Sequence, residues 1–188
     1  KREPCEGRLW YRGYDIKQLI GNLGPHEFGF EKIAYLLLFG DLPTPEQQAE
    51  FTDILSSCRT LPTNFTRDVI MKAPSKDIMN SMTRSVLTLA SYDDQVNGDL
   101  ANSIRQCVRL ISEFPMLAVY GYHAYNHYEN DDSMYIHRPD PNLSTAENIL
   151  RMLRHDMQYT ELEAKALDIA LILHMEHGGG NNSTFTTR

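Results

Sequence analysis

The chemistry-bearing stretch of this 188-residue chain is His174-Met175-Glu176-His177-Gly178-Gly179-Gly180-Asn181-Asn182-Ser183. The two histidines are three residues apart and share a face on a helix. The three glycines can turn sharply and offer bare backbone N–H groups to a closely held ligand. His177 sits at that turn, where an imidazole nitrogen can donate to a carbonyl or carboxylate oxygen. Asn181 adds an amide with donors and an acceptor. Ser183 can cap a following helix and leave its first N–H groups open. The set is a local donor cluster and suits a small anionic ligand.

Other chemistries compete for the same residues. A zinc-dependent hydrolase built on His174 and His177 would add Glu176 and His155, but the spacing is not that of H-E-x-x-H. An H-G-G-G oxyanion loop needs a G-x-S-x-G elbow, which the chain lacks. A phosphate loop needs a lysine that is also missing. The blandest alternative is a non-catalytic helical interaction domain, with the glycines as a helix cap and His174 a packed, hydrogen-bonded helix-end residue. The tyrosines and histidines of 120–137 read as packing. Tyr11-Arg12-Gly13-Tyr14-Asp15 reads as a structural turn with an Arg–Asp pair.

The elements that must position the cluster are helical. Phe30 to Phe39 carries Ile33, Leu36 and Leu37 at helical spacing and stops at Gly40. Thr44 caps a second helix with Pro45 at its first position and Phe51, Ile54 and Leu55 inward. A short helix opens at Pro62-Thr63 and ends before Pro74. Ser75 caps another, with Ile78, Met82, Val86 and Leu89 on one face. A long helix starts at Asp99, carries Leu100, Ile104, Cys107, Val108 and Ile111 on one face, and is kinked at Pro115. The 121–143 stretch is a helix end and a loop by composition. Ser144 and Glu147 make a capping box for a helix through Asp156. The last helix runs from Thr160, with Glu163 as box partner, to His174. Its segment 164–173 is apolar at eight of ten positions, which predicts a helix in the middle of the domain.

The expected class is therefore all-α, as a single unit. A formal net charge of −7 argues against a nucleic-acid or anionic-membrane surface. The longest apolar runs fall short of the ~18 residues of a membrane span. Cys5, Cys58 and Cys107 are too few and too scattered for a disulfide framework, which points to a reducing, cytoplasmic setting.

At four places in order the chain resembles the citrate synthase family: Tyr11-Arg12-Gly13-Tyr14-Asp15-Ile16; Ala34 to Pro43; Arg138-Pro139-Asp140 with Ala146 to Leu150; and His177 to Asn181 with Ser183-Thr184. The resemblance implies an all-helical fold with a large and a small domain, a homodimer, and condensation of acetyl-CoA with oxaloacetate in the tricarboxylic acid cycle. It implies no metal and no cofactor beyond acetyl-CoA as co-substrate. It assigns His177, Asn181 and Ser183 to oxaloacetate. Residues 1–188 would be the N-terminal part of the large domain, without the small domain or the C-terminal part. The second and third histidines, the base aspartate and the gripping arginines have no match here. No catalytic set is complete in the chain, which is expected to be inactive alone. A 2-methylcitrate synthase fragment fits the same residues.

Overall fold

The computed structural model describes residues 6–95 and 98–176. Two-residue strands β1 (Trp10–Tyr11) and β2 (Tyr14–Asp15) pair antiparallel, with Tyr11 opposite Tyr14. Helices follow as α1 (Ile16–Gly21), α2 (Phe30–Phe39) and α3 (Pro45–Ser57). A π-helical turn spans Thr66–Met71. Then come α4 (Ile78–Leu89), α5 (Leu100–Glu129), α6 (Thr145–Leu153) and α7 (Glu161–Leu173). The class is all-α, with the hairpin as the only sheet among the described residues. None of the described helices is long and apolar enough to cross a membrane.

Local chemistry sets most of the helix ends. Thr44 with Gln47, Ser144 with Glu147 and Thr160 with Glu163 each form a capping box, so side chains satisfy otherwise orphaned N–H groups at three N-termini. Gly40 ends α2 with φ 96°, a conformation that costs a residue with a Cβ but not glycine. Asp77, not Ser75, caps α4, and the Ser75 hydroxyl accepts the Asp77 N–H one step earlier. The helix expected from Pro62 starts later. Asn64 takes a positive φ of 63°, which interrupts an α-helical path and turns Phe65 into the core.

The long helix passes through Pro115 without a break and continues to Glu129. Its last turns bury Tyr120, His123 and Ala124 and expose Tyr122 and Tyr128. These aromatic and polar residues make an amphipathic helix where composition suggested a loop. The true connection is 130–144, and it folds back on the helices. The Tyr120 hydroxyl donates to the His137 carbonyl, and Asn148 donates to the carbonyls of Asp140 and Leu143.

Apolar side chains gather in three clusters. Phe65, Leu89, Leu117 and Met152 join the π-turn, α4, α5 and α6. Ala34, Phe51, Leu55 and Val108 join α2, α3 and α5. Tyr11, Ile33, Leu36 and Ile172 join the hairpin, α2 and α7. Some expected core positions are outside these clusters: Ile54, Leu100 and Cys107 are exposed. On α4 Ser81 and Ser85 are buried along with Leu89, while Ile78, Met82 and Val86 are half-buried. Ser81 lies against Gly121 of α5, so small residues let the two helices approach closely.

Helix α7 is apolar nearly all round but is covered on one face only. Ala164, Asp168 and Ile172 are buried, whereas Leu162 is 78% exposed and Leu173 42% exposed. The central position predicted for it is therefore only half realised.

Candidate functional site

His174 to Ser183 follow α7 in sequence, and the end of that helix is held firmly. Ile172 is fully buried, and its carbonyl accepts the N–H groups of His174 and Met175. It also accepts the Tyr11 hydroxyl at 2.7 Å. Tyr11 is 0% exposed, and burial raises its pKa above the ordinary tyrosine value, although the N–H groups of Glu176 and Met175 facing the oxygen oppose that shift. Met175 packs against the hairpin cluster and the α2–α3–α5 cluster at once.

The hairpin that carries Tyr11 is tied down separately. Arg12 and Gly13 turn the chain with φ values of 51° and 91°. The Arg12 guanidinium donates to the Leu37 carbonyl near the C-terminus of α2, at 2.8 Å and 3.3 Å. The Arg–Asp pair expected in this turn is absent: Asp15 instead caps α1 by accepting the Lys17 N–H. Neighbouring residues of one hairpin thus hold the last carbonyls of two helices.

His177, Gly178, Gly179, Gly180, Asn181 and Ser183 lie outside the described residues. His174 is described. It is the C-cap of α7, and its Nδ1 donates to the Ala170 carbonyl at 2.7 Å. It is hydrogen-bonded as expected but exposed rather than packed. Glu176 and His155 are exposed, and His137 Nε2 donates to the His155 carbonyl at 3.0 Å. Among the described residues no three His, Cys, Asp or Glu side chains are grouped to hold a metal ion. Only part of the aromatic stretch 120–137 packs inward. His123 is buried, its Nε2 donates to the Met152 carbonyl at 3.0 Å, and its ring meets Tyr135 at 4.4 Å.

Beside the exit of α7 runs an apolar groove of about 640 Å³. Phe30 and Leu37 of α2, Ile111 and Phe114 of α5, Ile149 of α6 and Met175 form its walls. Such walls offer dispersion contacts and almost no hydrogen bonds. They suit an apolar surface, not a dianion.

The residues that anchor α7 were not among the candidates read from sequence. Lys165 and Asp168 are the two charges in its apolar segment 164–173, and both serve one stretch of backbone. Lys165 Nζ donates to the carbonyls of Gly24 and Glu27. The Asp168 carboxylate accepts the N–H groups of Gly29 and Phe30, at 2.8 Å and 3.0 Å. Burial raises the Asp168 pKa, and these two N–H bonds work against it. Gly29 is where α7 crosses: a Cβ there would stand 2.6 Å from Leu23 Cδ1 and 3.0 Å from Ile172 Cδ1. The available signal was two charges at i, i+3 in the otherwise apolar segment 164–173. A second missed anchor is Glu31 on α2. Its carboxylate accepts the Thr145 N–H at 2.7 Å and the Arg59 guanidinium at 3.3 Å, tying α6 to α2.

With this geometry in hand, the comparisons with known proteins are specific. The model of the family described as "Citrate synthase, C-terminal domain" matches residues 2–188. A citrate synthase of Corynebacterium glutamicum is 35% identical over 97% of this chain and 40% of its own length. A 2-methylcitrate synthase of Shewanella oneidensis is 32% identical over 96% of this chain and 44% of its own. Among solved structures, the citrate synthase of Thermoplasma acidophilum in ternary complex with carboxymethyl coenzyme A and oxaloacetate has the same fold. It superposes with a TM-score of 0.80 at 22% identity, over 95% of this chain and 44% of that one. The chain thus spans less than half the length of the relatives it matches.

Proposed function

This chain belongs to the citrate synthase family, and from that premise we propose that it forms the oxaloacetate-holding part of an acyltransferase joining acetyl-CoA to oxaloacetate. In this reading residues 1–188 are the N-terminal part of the large domain. His177 donates to oxaloacetate, with Asn181 and Ser183 beside it. Oxaloacetate carries two carboxylates and a ketone, so it needs a concentration of donors. An acidic chain can supply that only locally. Acetyl-CoA is the co-substrate, with no metal or further cofactor, and the assembly is a cytoplasmic homodimer of the tricarboxylic acid cycle.

The observation that supports this reading most is the fixed last turn of α7. Tyr11 and the Ile172 carbonyl hold the main chain up to Met175, two residues before His177. A binding group hung from a rigid element loses little conformational entropy on engaging its ligand. The Thermoplasma acidophilum protein, solved with a coenzyme A derivative and oxaloacetate, lends further support.

Enol formation needs a base within hydrogen-bond reach of the methyl proton. The second His-Gly motif and the later aspartate of the family have no match in these 188 residues, so the chain alone does not turn over. The 2-methylcitrate reading rests on the Shewanella oneidensis relative. It replaces acetyl-CoA by propionyl-CoA, one methylene longer, and leaves the oxaloacetate residues unchanged. A thiol-release assay with oxaloacetate and either thioester tests the proposal together with a thermal-shift titration. The expected result is no thiol release but a rising Tm as oxaloacetate saturates the chain. Turnover above background would overturn the inactivity, and a Tm that ignores oxaloacetate would overturn the binding role.

A further inference from the structure

We propose that Tyr11 is a positioning residue for the oxaloacetate loop: its buried hydroxyl holds the main chain from which His177 emerges. The inference rests on the functional reading above and adds a residue far from the loop in sequence. The Tyr11 ring fills the cluster of Ile16, Leu19, Ile33, Leu36 and Ile172. A phenylalanine ring would fill the same space, so packing alone does not account for the hydroxyl. The hydroxyl is directed wholly to the end of α7. It donates to the Ile172 carbonyl at 2.7 Å across 161 residues, and the N–H groups of Met175 and Glu176 face its oxygen. The Ile172 carbonyl also accepts the Met175 N–H, at 3.3 Å. Loss of the hydroxyl therefore leaves no carbonyl stranded and should cost little global stability.

What the hydroxyl does restrict is the direction in which the chain leaves the helix. The last carbonyls of a helix are free to take alternative partners, and a C-terminal turn frays readily. A donor on a ring that is itself fully buried removes that freedom. The packing that fixes the ring thereby also fixes the main chain at Ile172.

The test uses the full 188-residue chain and its Tyr11→Phe variant. Histidine ring resonances are read by NMR, with the His177 signal identified by its loss in His177→Ala. Oxaloacetate affinity is measured in parallel. The expected outcome is a moved or broadened His177 signal, unchanged signals from His26 and His155, and affinity weaker by about tenfold, the upper range for one hydrogen bond. Arg12→Ala loosens the hairpin from α2 without touching α7 and separates positioning from general loosening. It should leave the His177 signal and the affinity at parental values. A His177 signal unaltered by Tyr11→Phe, or altered equally by Arg12→Ala, overturns the inference. A parent chain that does not bind oxaloacetate, but whose His177 signal still responds to Tyr11→Phe alone, sinks the functional reading and keeps the clamp.

Discussion

The carboxylate of Asp168 accepts the backbone N–H of Gly29 at 2.8 Å, across 139 residues of sequence. Its other oxygen takes the N–H of Phe30. The residue at the N-cap of α2 is a glycine with no side chain to cap the helix, so α7 supplies the cap instead. The helix that leads toward His177 is in this way also the cap of a neighbour.

Asp168→Ala should therefore destabilise the chain by roughly 2–4 kcal/mol, since two buried N–H groups lose their acceptor. Asp168→Asn, which keeps one acceptor oxygen, should cost less. Urea unfolding of the three proteins checks this ordering. An alanine variant within about 0.5 kcal/mol of the parent would show that water or other groups replace the carboxylate.

His123 gives the chain a pH dependence of known sign. Burial holds its imidazole below the usual 6.5, against the opposing hydrogen bond to the Met152 carbonyl; His137 lowers it slightly and Asp132 raises it. Below pH 6.5 the unfolded chain takes up a proton that the folded chain refuses. Stability should then fall as pH drops from 6.5 to the folded value, by at most about 1.4 kcal/mol per pH unit for one group. His123→Gln keeps an N–H for Met152 and removes the titration. Unfolding measured from pH 7.5 to 5 should be flatter in the variant, and identical slopes would refute the assignment.

Apolar surface on this chain invites association. Leu162, Ala166, Ala170 and Leu173 make an exposed stripe along α7, and the groove beside Met175 is almost wholly apolar. Sedimentation velocity at micromolar concentration should show self-association that weakens in Leu162→Lys/Leu173→Lys. A strictly monomeric parent would contradict this.

What could be read from sequence, and what could not, divides by range. The boxes at Ser144 and Thr160 need partners only three residues away and form as expected, and Thr44 caps α3 as expected with Gln47 added as a box partner. The α2 stop at Gly40 and the start of α3 are equally local. Asp168 finds its partners 138 and 139 residues away, and Tyr11 finds Ile172 at 161, so no window along the chain could expose them. Ser81 and Ser85 are buried for lack of bulk against α5, which an apolar count cannot register. The turns after Tyr120 were misread because their inner face is Tyr and His. At the site, His174 was legible as a hydrogen-bonded helix end but not as an exposed one. His177, Asn181 and Ser183 remain readings from sequence and family.

The most direct test of the central claim is calorimetric titration of oxaloacetate into the 188-residue chain and its His177→Ala variant. Saturable one-site binding to the parent is expected, with a loss of at least about tenfold in the variant, the scale of a charge-assisted hydrogen bond. Equal affinity in both proteins, with the variant folded, would contradict it.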